Sequence, residues 1–137
     1  MLHASAVCFD GRALLIGGSS GSGKSGLALN LISLGAMLIS DDRVWIEWHE
    51  DEVVVKTPTA IEGQIEARGV GLITMPFLSN QSLDFCVNLS GSSDQRLPVP
   101  RTVTLLGREF PEFLGGGTPN LAAALMCLLS GGVCYAD

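Results

Sequence analysis

Gly18, Ser19, Ser20, Gly21, Ser22, Gly23, Lys24 and Ser25 satisfy the pattern G-x-x-x-x-G-K-[ST] in full. This stretch constrains the fold more than any other, because its chemistry works only in a turn between a buried strand and a helix. Glycines let the backbone take positive φ and approach phosphate oxygens without a Cβ in the way. The turn's N–H groups and the helix N-terminus then form an anion cradle. In such a loop Lys24 neutralises β- and γ-phosphate charge, and the Ser25 hydroxyl is placed to ligate Mg²⁺. The flanks supply the context. Residues 13–17 (ALLIG) form a short apolar run that reads as a buried strand, and residues 24–34 carry Leu27, Leu31 and Leu34 at helical spacing with Gly35 as a stop.

Charge sharpens the reading. The chain has 137 residues, only 16% of them charged, and a net charge of −6. Its only lysines are Lys24 and Lys56, and one of the two lies inside the phosphate motif. A broad nucleic-acid face needs clustered Lys and Arg, so that class is excluded. The longest wholly apolar run, residues 121–129, is too short to span a bilayer. The amino terminus, MLHASAV, lacks the basic start and long apolar stretch of a secretion signal. Cys8, Cys86, Cys127 and Cys134 form no CxxC pair, and the first three fall in apolar runs that read as buried thiols. A cytoplasmic, reducing compartment is expected.

The remaining pattern alternates strands with few helices. Residues 2–9 read as a strand, and Asp10-Gly11 as the turn of a hairpin to residues 13–17. Residues 36–39 read as a buried strand, and 44–48 and 53–56 as a hairpin around the polar turn HEDE. Residues 59–67 are expected to form a short helix closing at Arg68-Gly69. Strands are expected at 70–74, 83–89 and 102–106, with loops at 90–100 and 115–119. Residues 120–129 form an apolar helix with no polar face, which suits burial or a subunit interface. The expected class is α/β, one phosphate-loop domain over residues 1–137 with a mixed, strand-rich sheet.

Asp41 and Asp42 close the apolar run of residues 37–39, just after the phosphate-loop helix. A phosphate loop needs a magnesium-organising carboxylate at a buried strand end. One aspartate can fill that place while the other accepts a proton from an attacking hydroxyl. Further on, I-E-A-R-G-V-G-L-I at 65–73 offers Glu66 as a second metal-side ligand and Arg68 as a clamp on phosphate or carboxylate. An ordinary element end with a surface ion pair accounts for those two residues equally well.

Together, the loop, the Asp-Asp pair and E-x-R-G-x-G-L-I resemble the catalytic domain of bacterial HPr kinase/phosphorylase. That family phosphorylates a serine of HPr, the phosphocarrier of the sugar phosphotransferase system, and can reverse the transfer with inorganic phosphate. His3 in L-H-A-S-A-V resembles the family's active-site histidine, and L-G-R-E-F-P at 106–111 resembles its L-G-V-E-I-P more weakly. The resemblance implies ATP and Mg²⁺ at the loop, and Asp41 and Asp42 as metal carboxylate and base in unassigned order. Glu66 would assist the metal, and Arg68 and His3 would hold phosphate or the aspartates. It also implies HPr or an HPr-like protein as partner, and a hexamer.

Two departures stand out. Full-length members carry an N-terminal domain, so this chain resembles short forms in which the kinase domain stands alone. The family's capture loop resembles P-V-R-P-G-R-N, whereas residues 115–120 read G-G-G-T-P-N, keeping Asn120 and lacking both arginines. Weak or absent reverse activity is therefore expected. A small-molecule kinase of related fold, or a nucleotide-binding regulatory module without transfer, uses the same loop.

Overall fold

The computed structural model describes residues 1–134. Alternation of small and branched apolar residues builds the centre of the sheet. β1 (Ser5–Phe9) and β2 (Arg12–Gly17) form the expected hairpin, with Asp10 and Gly11 both at positive φ in the turn. The loop of the motif leads into α1 (Lys24–Ser33), and β3 (Met37–Ser40) returns antiparallel to β1. β4 (Trp45–His49) and β5 (Glu52–Lys56) form the second hairpin around the HEDE turn. β6 (Gln64–Ala67) and β7 (Gly71–Thr74) make a separate two-stranded sheet. β8 (Gln81–Asn88), β9 (Thr102–Leu105), β10 (Arg108–Leu114) and α2 (Leu121–Leu129) complete the order.

The main sheet runs β3-β1-β2-β8-β10-β9, with β5 joined to the start of β8 and β4 to β5. β2, β8 and β10 are mutually parallel, so their C-terminal ends lie side by side. Val7, Leu14, Ile16, Leu38 and Val87 point to one face, where they pack against Leu27, Ala28 and Leu31 of α1, Leu125, Met126 and Leu129 of α2, and Ile65 of β6. Ala6, Cys8, Ala13, Leu15, Ile39 and Cys86 point to the other, closed by Val53 and Val55 of β5 and Phe110 of β10. No helix among the described residues is long and apolar enough to cross a membrane.

Three expectations are corrected. Residues 59–67 are not one helix: a single 3-10 turn spans Thr59–Ile61 and β6 follows. Gly63 breaks the run at φ 69°, where an added Cβ would sit 2.6 Å from the Met75 carbonyl oxygen. Beyond it Ile65 and Ala67 are buried while Glu66 is exposed, a period of two. Second, residues 108–114 form β10, a strand that the pattern did not announce. Its turn from β9 is Leu106-Gly107, both at positive φ, with leucine where the usual signal is Asn or Asp. Pro111 also argues against a strand. Its missing N–H costs nothing, because the neighbouring Glu112 N–H faces β9 and bonds the Arg101 carbonyl, so position 111 faces away from β9, and pairing with β8 starts only at Glu112. Third, Cys127 is not a buried thiol: α2 turns Ala123, Ala124 and Cys127 outward in the single chain.

Thiol chemistry follows. Cys8 and Cys86 are buried, and burial with the nearby Glu112 carboxylate pushes the Cys86 thiol up to about 12. Cys127 and Cys134 are exposed. Under native conditions at pH 8, a thiol-disulfide reagent should label Cys127 and Cys134 fast and Cys8 and Cys86 only on unfolding, as peptide mass mapping would read.

Candidate active site

The loop crosses from β2 to α1 with three left-handed glycines, of which Gly18 is the most demanding. At φ 140° an added Cβ would lie 2.6 Å from the Ser22 Oγ. That Ser22 hydroxyl is the one buried side-chain oxygen left without a hydrogen-bond partner among the described residues. Lys24 folds back over the loop, its Nζ donating to the carbonyls of Gly18 (2.9 Å) and Ser19 (3.0 Å). The start of the loop is pinned sideways as well: the Ser19 N–H donates to the Ser90 Oγ, just past the end of β8. Leu27 N–H makes the first helical bond, to the Gly23 carbonyl. The earlier N–H groups of the helix are therefore free for an anion.

Asp41 stands where β3 ends, 8% exposed, and gathers four elements. Its Oδ1 accepts from the Ser5 hydroxyl of β1 at 2.8 Å and from the Ser25 hydroxyl of α1 at 2.7 Å. Its Oδ2 accepts from the Glu66 N–H at 3.1 Å. The outward N–H of β6 thus docks the small hairpin onto the carboxylate. Asp42 follows in a γ-turn: its φ is 69°, and the Arg43 N–H reaches the Asp41 carbonyl at 2.8 Å. This turn is rare and costs backbone strain. It turns the exposed Asp42 away from its buried neighbour, while the Asp42 N–H donates to the Ser5 Oγ at 3.2 Å.

The structure therefore brings together the loop residues Gly18 to Ser25, Asp41, Asp42 and the backbone of Glu66. The Glu66 side chain is exposed and touches Asp41 only through the strand. Arg68 lies in the β6–β7 turn, exposed and without an ion pair among the described residues. His3 is exposed at a pocket of about 210 Å³ whose wall includes Gly17, Gly18 and Glu112, on the opposite side of β2 from α1. Two participants were not singled out by the sequence. Ser5 is fully buried and bridges both aspartates, and Ser90 holds the loop. A lone serine in an alternating strand carries no signal of its own.

The geometry fixes a carboxylate against the serine of a phosphate-loop sequence at a helix N-terminus, on a mixed, strand-rich sheet. Residues 1–96, well over half of the chain, match the family model described as the HPr serine kinase C-terminal domain. The chain belongs to that family. It is 43% identical over 77 residues to the HPr kinase/phosphorylase of Clostridium acetobutylicum and 42% identical over 77 residues to that of Clostridium tetani. Each match covers 56% of this chain and 25% of the relative, so the matched stretch spans about a quarter of the curated proteins. The solved HPr(Ser) kinase/phosphatase of Coxiella burnetii superposes with a TM-score of 0.80 at 24% identity, over 95% of this chain and 88% of that one, which shows a shared fold.

Ser5→Ala removes a donor to Asp41 and strands the Asp42 N–H. Because both groups are held at a buried site, thermal or urea unfolding should show a loss of about 1–3 kcal/mol. Exposed Ser20→Ala should change stability by no more than about 0.5 kcal/mol.

Proposed function

We propose that this chain is an ATP-dependent protein kinase that phosphorylates a serine of HPr or an HPr-like phosphocarrier in the cytoplasm, working as a homo-oligomer. The observation that carries the reading is the 2.7 Å contact from the loop hydroxyl of Ser25 to Asp41, with a second carboxylate, Asp42, next in the chain and exposed. A module that only binds nucleotide has no use for that second, strained aspartate.

The residues fit Mg²⁺. Ser25 and Asp41 present hard oxygen donors side by side, and among the described residues no three His, Cys, Asp or Glu side chains form a self-sufficient metal cage. Mg²⁺ needs none, because substrate phosphates and waters complete its shell. When bound, the ion neutralises charge on the β- and γ-phosphate oxygens. Asp41 and the Ser25 hydroxyl would hold it, with Glu66 on the same side. Lys24 gives up its two carbonyl contacts and turns to the phosphates. The exposed Asp42 is the base: its carboxylate takes the proton of the substrate serine as that oxygen bonds to the γ-phosphorus, while the bond from phosphorus to the ADP oxygen breaks. Arg68, on a turn tip, and His3, whose pocket reaches Gly18, are assigned to steady the transferring phosphoryl group.

Segment 115–120 carries no cation to hold free phosphate. It is also tied into the fold, with the Gly116 N–H donating to the Gly91 carbonyl at 2.9 Å. The reverse reaction is accordingly slow.

Incubation with γ-labelled ATP, Mg²⁺ and purified HPr should label a serine. Asp42→Asn should cut kcat by roughly 10²- to 10⁴-fold with nucleotide affinity retained. Phosphoseryl-HPr with excess inorganic phosphate should lose little label. Equal labelling by the Asp42→Asn variant would remove Asp42 as base, and rapid phosphorolysis would overturn the direction assigned.

A further inference from the structure

Lys24 and Ser25 ride on a loop that cannot hold a shape by itself. Residues 18–23 are three glycines and three serines, with no apolar side chain to anchor them. Glycine also loses more backbone freedom on ordering than any other residue. Among the described residues, side chains from outside the loop hydrogen-bond residues 18–25 at two places. Asp41 meets Ser25 at the helix end, and Ser90 meets Ser19 at the strand end.

Four hydrogen bonds converge on Ser19. Its N–H donates to the Ser90 Oγ at 2.6 Å, and its own Oγ accepts from the Ser90 hydroxyl at 3.0 Å. Its carbonyl accepts from the Ser22 N–H at 3.1 Å, which closes the loop on itself, and from the Lys24 Nζ at 3.0 Å. Ser90 is in turn held in place. Its N–H donates to the Asn88 Oδ1 at 2.9 Å. The Leu89 N–H donates to the Gly17 carbonyl at 2.9 Å, and the Gly115 N–H to the Asn88 carbonyl at 3.0 Å. The turn that carries Ser90 is therefore fixed to the ends of β2, β8 and β10.

We propose that Ser90 is a positioning residue for phosphate binding, acting through Ser19 on the loop and on Lys24; the proposal rests on the phosphate-loop reading. Two bonds to two atoms of one residue fix the Ser19 peptide, and with it the carbonyl at which Lys24 rests. The N–H groups of Ser19 and Ser22 are engaged inside this network, so an anion meets the remaining N–H groups and Lys24 on a loop already ordered. Such a loop loses little further freedom when the ligand arrives, and the saving appears as affinity. Ser19 and Ser90 are both exposed, so water replaces their mutual bonds once the Ser90 hydroxyl is removed. The loss then falls on ligand affinity and leaves global stability in place.

Calorimetric titration with Mg²⁺ tripolyphosphate, which needs only the loop, tests this. Ser90→Ala should weaken binding about three- to tenfold, the scale of one or two lost hydrogen bonds. Ser90→Thr keeps the hydroxyl and should stay within about twofold of the unaltered chain. Ser92→Ala removes an exposed hydroxyl two residues further on and should change nothing. Thermal unfolding midpoints should agree across all four proteins. In the kinase assay Ser90→Ala should raise KM for ATP by the same factor and leave kcat, the opposite split from Asp42→Asn. Unchanged or tighter tripolyphosphate binding by Ser90→Ala would overturn the positioning role and leave the phosphate loop standing. So would a loss that Ser90→Thr fails to recover or that Ser92→Ala shares. No binding of tripolyphosphate to the unaltered chain would overturn both readings.

Discussion

One buried carboxylate organises this domain. Asp41 accepts hydrogen bonds from β1, from the start of α1 and from β6, and its own backbone closes the turn that exposes Asp42. A nearly buried charge is expensive unless hydrogen-bonded. Two hydroxyls and an N–H meet that requirement here, and doing so fixes the position of the phosphate loop's serine. The order of the sheet is consistent with it: β1 lies between β2 and β3, which brings Ser5 and Ser25 to the end of β3.

The loop has two chemically different flanks. The β3 side gathers carboxylates and the exposed β6–β7 turn, which suits metal, γ-phosphate and an incoming hydroxyl. The β8–β10 side is uncharged and glycine-lined, and is bound to the loop through Ser90. The scarcity of cations acquires a location in this picture. Lys24 is folded over the loop, Arg68 stands on the hairpin turn, and none lies in segment 115–120.

Much of this was legible in the sequence. The glycine-lysine-serine pattern, its flanking strand and helix, and the aspartates after residues 37–39 place the core of the candidate site, because each rests on local chemistry. What escaped rests on distant partners. Gln64, Ile65, Glu66 and Ala67 have helical composition, and only Gly63 and pairing to β7 make them extended. Arg108 to Leu114 hides its strand behind Pro111, harmless only because pairing with β8 begins one residue later. Ser5 looks like any small residue in a strand until Asp41 arrives from thirty-six residues away. Cys127 sits in an apolar run yet faces outward, since α2 buries one face only.

The most direct test of the central claim is the Mg²⁺ dependence of ATP affinity in the unaltered chain and in Asp41→Asn, with circular dichroism to establish folding. If Asp41 both orders Ser25 and holds the ion, ATP should bind the unaltered chain about tenfold or more tighter with Mg²⁺ than with EDTA, and that gain should vanish in the folded Asp41→Asn variant. A full Mg²⁺ gain in the folded variant would contradict the account.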